Sequence, residues 1–424
     1  MRLLNERPTE RSIYLWNIVG SMANALISVV VLMLATRLLT KDDTDIFSLA
    51  WSISQLMVTI ATFQIRVYQA TDIKENFSFK QYCMFRIITI IIMLVCSAGY
   101  IYAQGYSGYK SKIVLIICIY RAIDSLEDVY EGWFQQKERL DLAGKALTYR
   151  IILAVIIFGI LLLFMKNLMY ACWGLVVAYA VSFIVFDVRY KKRLSFLHSS
   201  QKKDGHIIWI WKLFKEGFPL FLNAFIMMSI TNTPKMVIDT ATGNGLVESG
   251  SQTIFNILFM PASVLTLAYI VFRPLITQMA IVWEQKNFSK FLKILGKILV
   301  CLLGMAILLI IGSALLGIPV LSIIYGIDLK SYKAHLLIII LGGCCYTFAA
   351  VLDNALVVIR KQYLLIVSYA VSWIYIKAMM KYFVNSWKMF GASVGYTTTM
   401  LIFLLVTAII FFISYCLESK KRTI

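Results

Sequence analysis

The residues with the clearest chemical potential lie in one stretch, 119–136, which reads IYRAIDSLEDVYEGWFQQ inside a longer apolar run. At 100° per residue of an α-helix, six polar side chains of this stretch fall within an arc of about 120°. They are Arg121, Asp124, Glu127, Asp128, Glu131 and Gln135. An ionised side chain at the centre of a bilayer costs about 2.5–3.5 kcal/mol or more. This face of the helix is therefore expected to contact protein or water rather than lipid.

Two interpretations of this acidic face are open. In the first, Arg121 braces Asp124 and Asp128, and the face is an internal ion-pair network. In the second, the face is the wall of a hydrated cavity, because four carboxylates exceed what one arginine needs. Asp124, Glu127 and Asp128 are then candidates for coupling to H+ or Na+, since ionisable groups inside a membrane mark ion pathways.

Two other polar side chains interrupt apolar runs. Lys235 follows Pro234, and a proline inside a helix removes a backbone hydrogen bond and frees carbonyl groups. The Lys235 side chain either lines a cavity or extends outward to the membrane interface. Asp353 lies in an otherwise apolar run, which makes it a better candidate for a buried site, and it is a further candidate for ion coupling.

Arginines near the ends of apolar runs have a simpler explanation. Arg66 and Arg273 lie near the ends of the second and eighth runs, and Arg37 and Arg150 are similar. Long basic side chains at such positions reach lipid phosphates from within a helix.

The sequence carries no pattern typical of a metal, cofactor or catalytic site. Its eight cysteines lie in or at the edge of apolar runs without a CxxC pair, and its three histidines are scattered, so a metal site is not expected. A Walker A motif is absent. The polar breaks are too short for an extramembrane catalytic domain, so we expect no enzyme activity.

The elements that must position these residues are membrane-spanning helices. Of 424 residues, 60% are hydrophobic and 15% are charged, against about 25% charged residues in soluble domains. Runs of roughly 20 apolar residues each suffice to cross a bilayer as a helix. This predicts an all-α polytopic membrane protein with about twelve transmembrane helices. The runs are about 14–38, 46–65, 82–103, 113–134, 146–165, 168–187, 216–238, 252–272, 294–316, 335–358, 362–384 and 391–416.

The net charge of +19 follows from this membrane topology. With the N-terminus inside, 28 of the 41 Lys and Arg residues lie in inside segments and 10 in outside segments. Basic residues accumulate on the cytosolic side of membrane proteins. Both termini are therefore predicted to be cytosolic, and the basic residues are expected to face membrane lipids and not a nucleic acid.

The longest polar break divides the predicted helices six and six. It predicts an N-terminal lobe at 1–189, a basic cytosolic linker at 190–214 and a C-terminal lobe at 215–424. Similar spacings of polar residues in both parts favour two parallel structural repeats, a known transporter plan.

Five segments resemble bacterial polysaccharide flippases, the O-antigen and capsular repeat-unit exporters of the multidrug/oligosaccharidyl-lipid/polysaccharide superfamily. They are residues 121–150, 217–225, 257–277, 317–326 and 352–362. The resemblance implies two six-helix lobes around a central cavity. It also implies that an undecaprenyl-pyrophosphate-linked oligosaccharide is flipped from the cytosolic to the outer leaflet of the bacterial plasma membrane.

In this family the cavity is often cationic, which suits a pyrophosphate. The resemblance assigns substrate binding to Arg37, Arg66, Arg121, Lys235 and Arg273. Contact with a polysaccharide polymerase and with glycosyltransferases is an expectation of the same kind. The alternatives are a drug/cation antiporter of the same superfamily, a membrane enzyme acting on lipid-linked sugars, and a non-transporting assembly partner.

Overall fold

The structure, a computed structural model, describes residues 8–72, 75–195, 208–269 and 272–423. Every regular secondary-structure element in these residues is a helix. The helices are α1 (Glu10–Leu38), α2 (Lys41–Thr62), α3 (Ile65–Thr71), α4 (Phe79–Ala103), α5 (Gly108–Gln136), α6 (Leu140–Met165), α7 (Leu168–Ser182), α8 (Arg189–Ser195), α9 (Ile208–Gly243), α10 (Ser251–Phe259), α11 (Val264–Tyr269), α12 (Arg273–Glu284), α13 (Phe288–Gly312), α14 (Ile318–Tyr325), α15 (Lys333–Val358) and α16 (Leu365–Thr423). Turns of π-helix join α7 to α8 (Phe183–Val188) and α13 to α14 (Ser313–Gly317).

Several helices begin at a polar side chain that accepts a hydrogen bond from the first turn. Thr9, Thr40 and Ser78 cap α1, α2 and α4, and Ser78 forms a capping box with Gln81. Asn167 accepts from two backbone amides at the start of α7. Such caps satisfy amide groups that have no partner inside the helix. The local sequence therefore determines where these helices begin.

Within the described ranges, nine helical segments are long and apolar enough to cross a membrane. α5 is not among them because it carries many charged residues, although its 29 residues measure about 44 Å against about 30 Å of hydrocarbon. α16 has 59 residues and leaves helical geometry at Trp387 and Lys388, so it is long enough for two crossings. The predicted all-α membrane fold is confirmed, and the count of twelve crossings stays a prediction.

The chain forms two compact units, an N-terminal unit of residues 1–228 and a C-terminal unit of residues 229–424. The division falls inside α9, whereas the sequence prediction places it at 190–214, of which 196–207 lie outside the described residues. The predicted lobe boundaries stay a prediction. In the N-terminal unit α5 packs against α2, α3, α4, α6 and α7; in the C-terminal unit α15 packs against α13 and α16.

α1 and α6 approach closely where two glycines meet. A Cβ atom on Gly20 would lie 3.0 Å from the Gly144 carbonyl oxygen, and a Cβ on Gly144 would overlap the backbone carbonyl of Trp16. Small residues let helix backbones come together in a membrane, where packing replaces the hydrophobic effect. This contact holds α1 against the helix that carries Arg150.

We expect Gly144→Ala to lower the unfolding temperature of the purified protein, because the new methyl group forces α1 and α6 apart. Overpacking of this kind costs about 1–3 kcal/mol. The matched control is Gly99→Ala in α4, where a Cβ meets nothing within 4 Å. That variant should be as stable as the parent or slightly more stable, since alanine favours helix over glycine. Equal behaviour of the two variants would contradict the close approach.

Candidate functional site

The charged face of α5 lies inside the N-terminal unit. Glu127 is fully buried, and Arg121 and Glu131 are nearly so. Asp124 and Asp128 keep about a quarter of their side-chain surface exposed. The expectation that this face avoids lipid therefore agrees with the packing.

A break between α2 and α3 prepares one side of the site. Phe63 and Gln64 both adopt left-handed backbone angles, with φ of 46° and 52°, a conformation that is uncommon outside glycine. The break ends α2 and leaves the Ala61 carbonyl without its helical donor. Arg86 Nη1 and Thr89 Oγ1, both on α4, donate to that carbonyl at 2.6 and 2.7 Å.

Apolar packing holds this break in place. The Phe63 ring stacks on Phe221 of α9 with 4.6 Å between the ring centroids, and meets Phe85 of α4 edge-on. The surrounding cluster includes Ile65, Tyr82, Val129 and Leu213. Side chains of α4, α5 and α9 thus pack around Phe63 and hold the break in place.

Asp128 joins two arginines from different helices. Its Oδ2 lies 2.7 Å from Arg86 Nη2, and its Oδ1 lies 3.1 Å from Arg66 Nη1. Arg86 is fully buried, so its charge depends on Asp128 for compensation. The pair of contacts connects α3, α4 and α5.

Glu131 makes the next link, from Arg66 to Arg150. Its Oε2 accepts from Arg66 Nη1 at 2.7 Å, and its Oε1 accepts from Arg150 Nη1 at 3.2 Å. Arg150 Nη2 donates to Asp187 Oδ2 at 2.9 Å. Arg150 Nη1 also lies 2.9 Å from Glu127 Oε2. These four buried residues, Arg150, Glu127, Glu131 and Asp187, are called the Arg150 cluster below.

Arg121 forms a separate branch on the same helix. Its Nη1 donates to Asp124 at 3.0 Å, and its guanidinium lies 4.7 Å from the Trp51 ring centroid. A guanidinium over an aromatic face is stabilised by the ring quadrupole. The expectation that Arg121 braces both Asp124 and Asp128 is corrected, because Asp128 pairs with Arg66 and Arg86 instead.

The sequence interpretation missed most of the positive charge around α5. It set one arginine against four carboxylates, whereas Arg66, Arg86 and Arg150 supply three more cations from other helices. Arg150 was expected to reach the lipid surface but is buried, which corrects that expectation. Asp187, at the end of the sixth apolar run, has no role in the sequence prediction. The signal for both residues was their place within or at the edge of an apolar run.

A cavity of about 340 Å³ opens beside the network. Arg66 lines it with about a third of its side chain exposed, and both its ion pairs among the described residues use Nη1. A Cβ on Gly132 would lie 2.5 Å from Gln69 Oε1 and 3.3 Å from Arg66 Cγ, so this glycine lets α3 approach α5 closely. The cavity is lined by Thr62, Gln64, Arg66, Val67, Ala70, Thr71, Asp128 and Gln135.

The remaining predicted site residues lie elsewhere. Arg37 is exposed in the last turn of α1. Lys235 Nζ lies 4.5 Å from the Phe259 ring centroid in the C-terminal unit. Asp353 Oδ2 accepts from Tyr369 at 3.3 Å, while its buried Oδ1 has no hydrogen-bond donor in the described part of that unit. Arg273 begins α12, and its side chain lies outside the described residues.

Solved structures of membrane transporters share this fold. An inward closed structure of the lipid II flippase MurJ aligns with a TM-score of 0.71 at 13% identity, over 96% of this chain and 90% of that chain. An inward-facing multidrug resistance MATE transporter of the MOP superfamily aligns with a TM-score of 0.68 at 12% identity, over 95% and 99%. A Vibrio cholerae MATE transporter, VcmN, gives a TM-score of 0.63 at 11% identity, over 95% of both chains. The chain therefore shares the fold of these transporters.

The family follows from the sequence match. A family model described as polysaccharide biosynthesis protein matches residues 14–280, more than half of the chain. The chain is a multi-pass membrane protein that belongs to this family. A comparison with curated proteins finds no match.

We expect Arg86→Gln to destabilise the N-terminal unit strongly. The substitution removes the buried guanidinium from Asp128, which keeps only Arg66, and from the Ala61 carbonyl, which keeps only Thr89. Breaking one side of a buried pair costs up to about 3–5 kcal/mol. The matched control is Arg360→Gln, since Arg360 pairs with Glu284 at 3.8 Å on the surface and exposed pairs contribute little. Thermal unfolding in lipid nanodiscs measures both. A parental unfolding temperature for Arg86→Gln would contradict the assigned role.

Proposed function

We propose that this chain flips undecaprenyl-pyrophosphate-linked oligosaccharide repeat units from the cytosolic to the outer leaflet of the bacterial plasma membrane by alternating access. Family membership and the MOP fold support a flippase-type transporter. The observation that carries the substrate class is the partly exposed Arg66 side chain in the cavity beside α5.

The chemistry of a pyrophosphate suits this arrangement. Asp128 and Glu131 hold Arg66 through Nη1, which orients the planar guanidinium. A guanidinium binds phosphate oxygens through paired, charge-assisted hydrogen bonds. Arg66 is therefore proposed as the first anion-binding residue, with its geometry fixed in advance by the network.

The other predicted residues take different proposed roles. Arg121 is buried against Trp51 and Asp124, so we propose that it orients α5. Arg37, Lys235 and Arg273 stay proposed substrate contacts. Asp124, Glu127, Asp128 and Asp353 stay proposed for coupling to H+ or Na+.

The proposed setting is the inner membrane with both termini cytosolic, as the distribution of basic residues predicts. A substrate assembled by glycosyltransferases and consumed by a polysaccharide polymerase makes contact with those enzymes a further proposal. The flippase itself is proposed to act without a cofactor and without catalysing a reaction.

A drug/cation antiporter is the second candidate. The fold similarity to a multidrug resistance MATE transporter favours it, and Asp128, which lines the cavity, could attract a cationic compound. The two candidates differ in the sign of the charge that the cavity binds.

Deletion of the gene should trap lipid-linked repeat units on the cytosolic leaflet and remove surface glycan. Complementation with Arg66→Gln should restore transport at least about tenfold less well than the parent, because charge-assisted hydrogen bonds contribute about 1.5–3 kcal/mol each. Arg360→Gln should restore it fully. The leaflet distribution is measured with a membrane-impermeant label on the glycan, and protein abundance is measured alongside.

Unchanged surface glycan after deletion, in a strain without a redundant flippase, would refute the proposal. Loss of resistance to cationic drugs in that strain, with normal glycan, would favour the antiporter instead.

A further inference from the structure

We propose that the Arg150 cluster holds one exchangeable proton on Glu127 or Asp187, and that this proton is the coupling ion. The first ground is charge. Asp128, Glu131, Glu127 and Asp187 are joined by ion pairs to Arg66, Arg86 and Arg150. Four carboxylates against three guanidinium groups leave one negative charge uncompensated.

The second ground is unmet hydrogen bonding. Glu127 and Asp187 are fully buried. In the described part of the chain, neither Glu127 oxygen accepts a hydrogen bond, and Asp187 Oδ1 accepts none. Arg150 approaches Glu127 to 2.9 Å without the alignment of a hydrogen bond. A buried ionised carboxylate without donors is costly, and adding a proton removes the charge and supplies a donor.

The titratable groups around Glu127 and Asp187 belong to three elements: α5 contributes Tyr120, Asp124, Tyr130 and Glu131, α6 contributes Arg150, and α8 contributes Tyr190. Tyr179 in α7 faces Arg150. Tyr120 on α5 donates its hydroxyl to the Tyr179 hydroxyl at 3.1 Å. The carboxylates thus outnumber the cation that they share.

The backbone at Asp187 is irregular in a way that suits such a site. Asp187 lies in the π-helical turn Phe183–Val188. An inserted π turn is rare and frequently occurs at functional positions, because the extra residue re-aims a side chain. Here the turn places Asp187 opposite Arg150.

A gradient of exposure links the cluster to the cavity. The exposed side-chain fraction falls from 32% at Arg66 to 22% at Asp128, 7% at Glu131 and 0% at Glu127. A hydronium ion in the cavity delivers its proton to a carboxylate along this series. One O–H bond of hydronium breaks, one O–H bond of the carboxylic acid forms, and neutral water is left.

Glu131 couples the proton to the proposed substrate, and this step rests on the proposed function. It contacts Arg66 at the cavity and Arg150 in the cluster. An anionic group that binds Arg66 adds negative charge beside the cluster and competes with Glu131 for Arg66. Both effects favour the protonated form, and by linkage the proton favours binding of the anion.

Infrared difference spectroscopy of the full chain in nanodiscs tests for the proton. The carbonyl band of a protonated carboxylic acid should be present at neutral pH, and Glu127→Gln and Asp187→Asn should each remove it, because either substitution balances the charges. Arg66→Gln should enlarge the band, since it removes a cation. Glu284→Gln, at an exposed pair, should leave it unchanged. A band that survives both carboxylate substitutions, or its absence from the parent, would overturn the proposal.

Transport at several pH values tests the coupling. The parent should flip at a rate that depends on pH, and Glu127→Gln should lose this dependence. If the parent transports the substrate and both Glu127→Gln and Asp187→Asn keep the pH profile of the parent, proton coupling at this cluster is refuted. The proposed flippase function is unaffected by that result. A parent that transports no lipid-linked glycan would refute the flippase, while the infrared result would still decide whether the proton is present.

Discussion

Arginine side chains buried in a membrane bundle must find carboxylates, and the N-terminal unit is built around this requirement. Arg86 and Arg150 are almost fully inaccessible, and their partners Asp128, Glu131 and Asp187 stand on two different elements. The pairs therefore fix the positions of α4, α5, α6 and the π turn relative to one another. The cavity beside Arg66 is lined by Arg66 and Asp128, so these fixed positions help to determine its shape.

Such a network contributes more to specificity than to net stability. The cost of removing charges from water offsets much of the attraction between them. Packing fills the rest of the unit, with Phe63 in an aromatic cluster and Gly144 in a close helix contact. The charges decide which arrangement of helices is acceptable, and the apolar contacts hold that arrangement together.

The local part of this structure could be predicted from sequence, and the long-range part could not. Apolar runs and the 100° periodicity predicted the helices and the charged arc of α5, because both depend on neighbours within a few residues. The partners of that arc lie 42 to 65 residues earlier, at Arg66 and Arg86, or 19 and 23 residues later, at Arg150, and no periodicity relates them. The break at Phe63 and Gln64 contains neither glycine nor proline, the residues that usually indicate a break in sequence. It could not be predicted because tertiary packing imposes it.

The Ala61 carbonyl makes the two forms of this region mutually exclusive. In a continuous α2–α3 helix it would accept from the amide of Ile65. Here Arg86 and Thr89 occupy both of its acceptor positions. Backbone straightening and side-chain capture compete for one oxygen atom, so any event that draws Arg86 towards Asp128 and away from Ala61 lowers the cost of straightening the helix. The ion-pair network and the break between α2 and α3 are thereby linked through one shared acceptor, the Ala61 carbonyl oxygen.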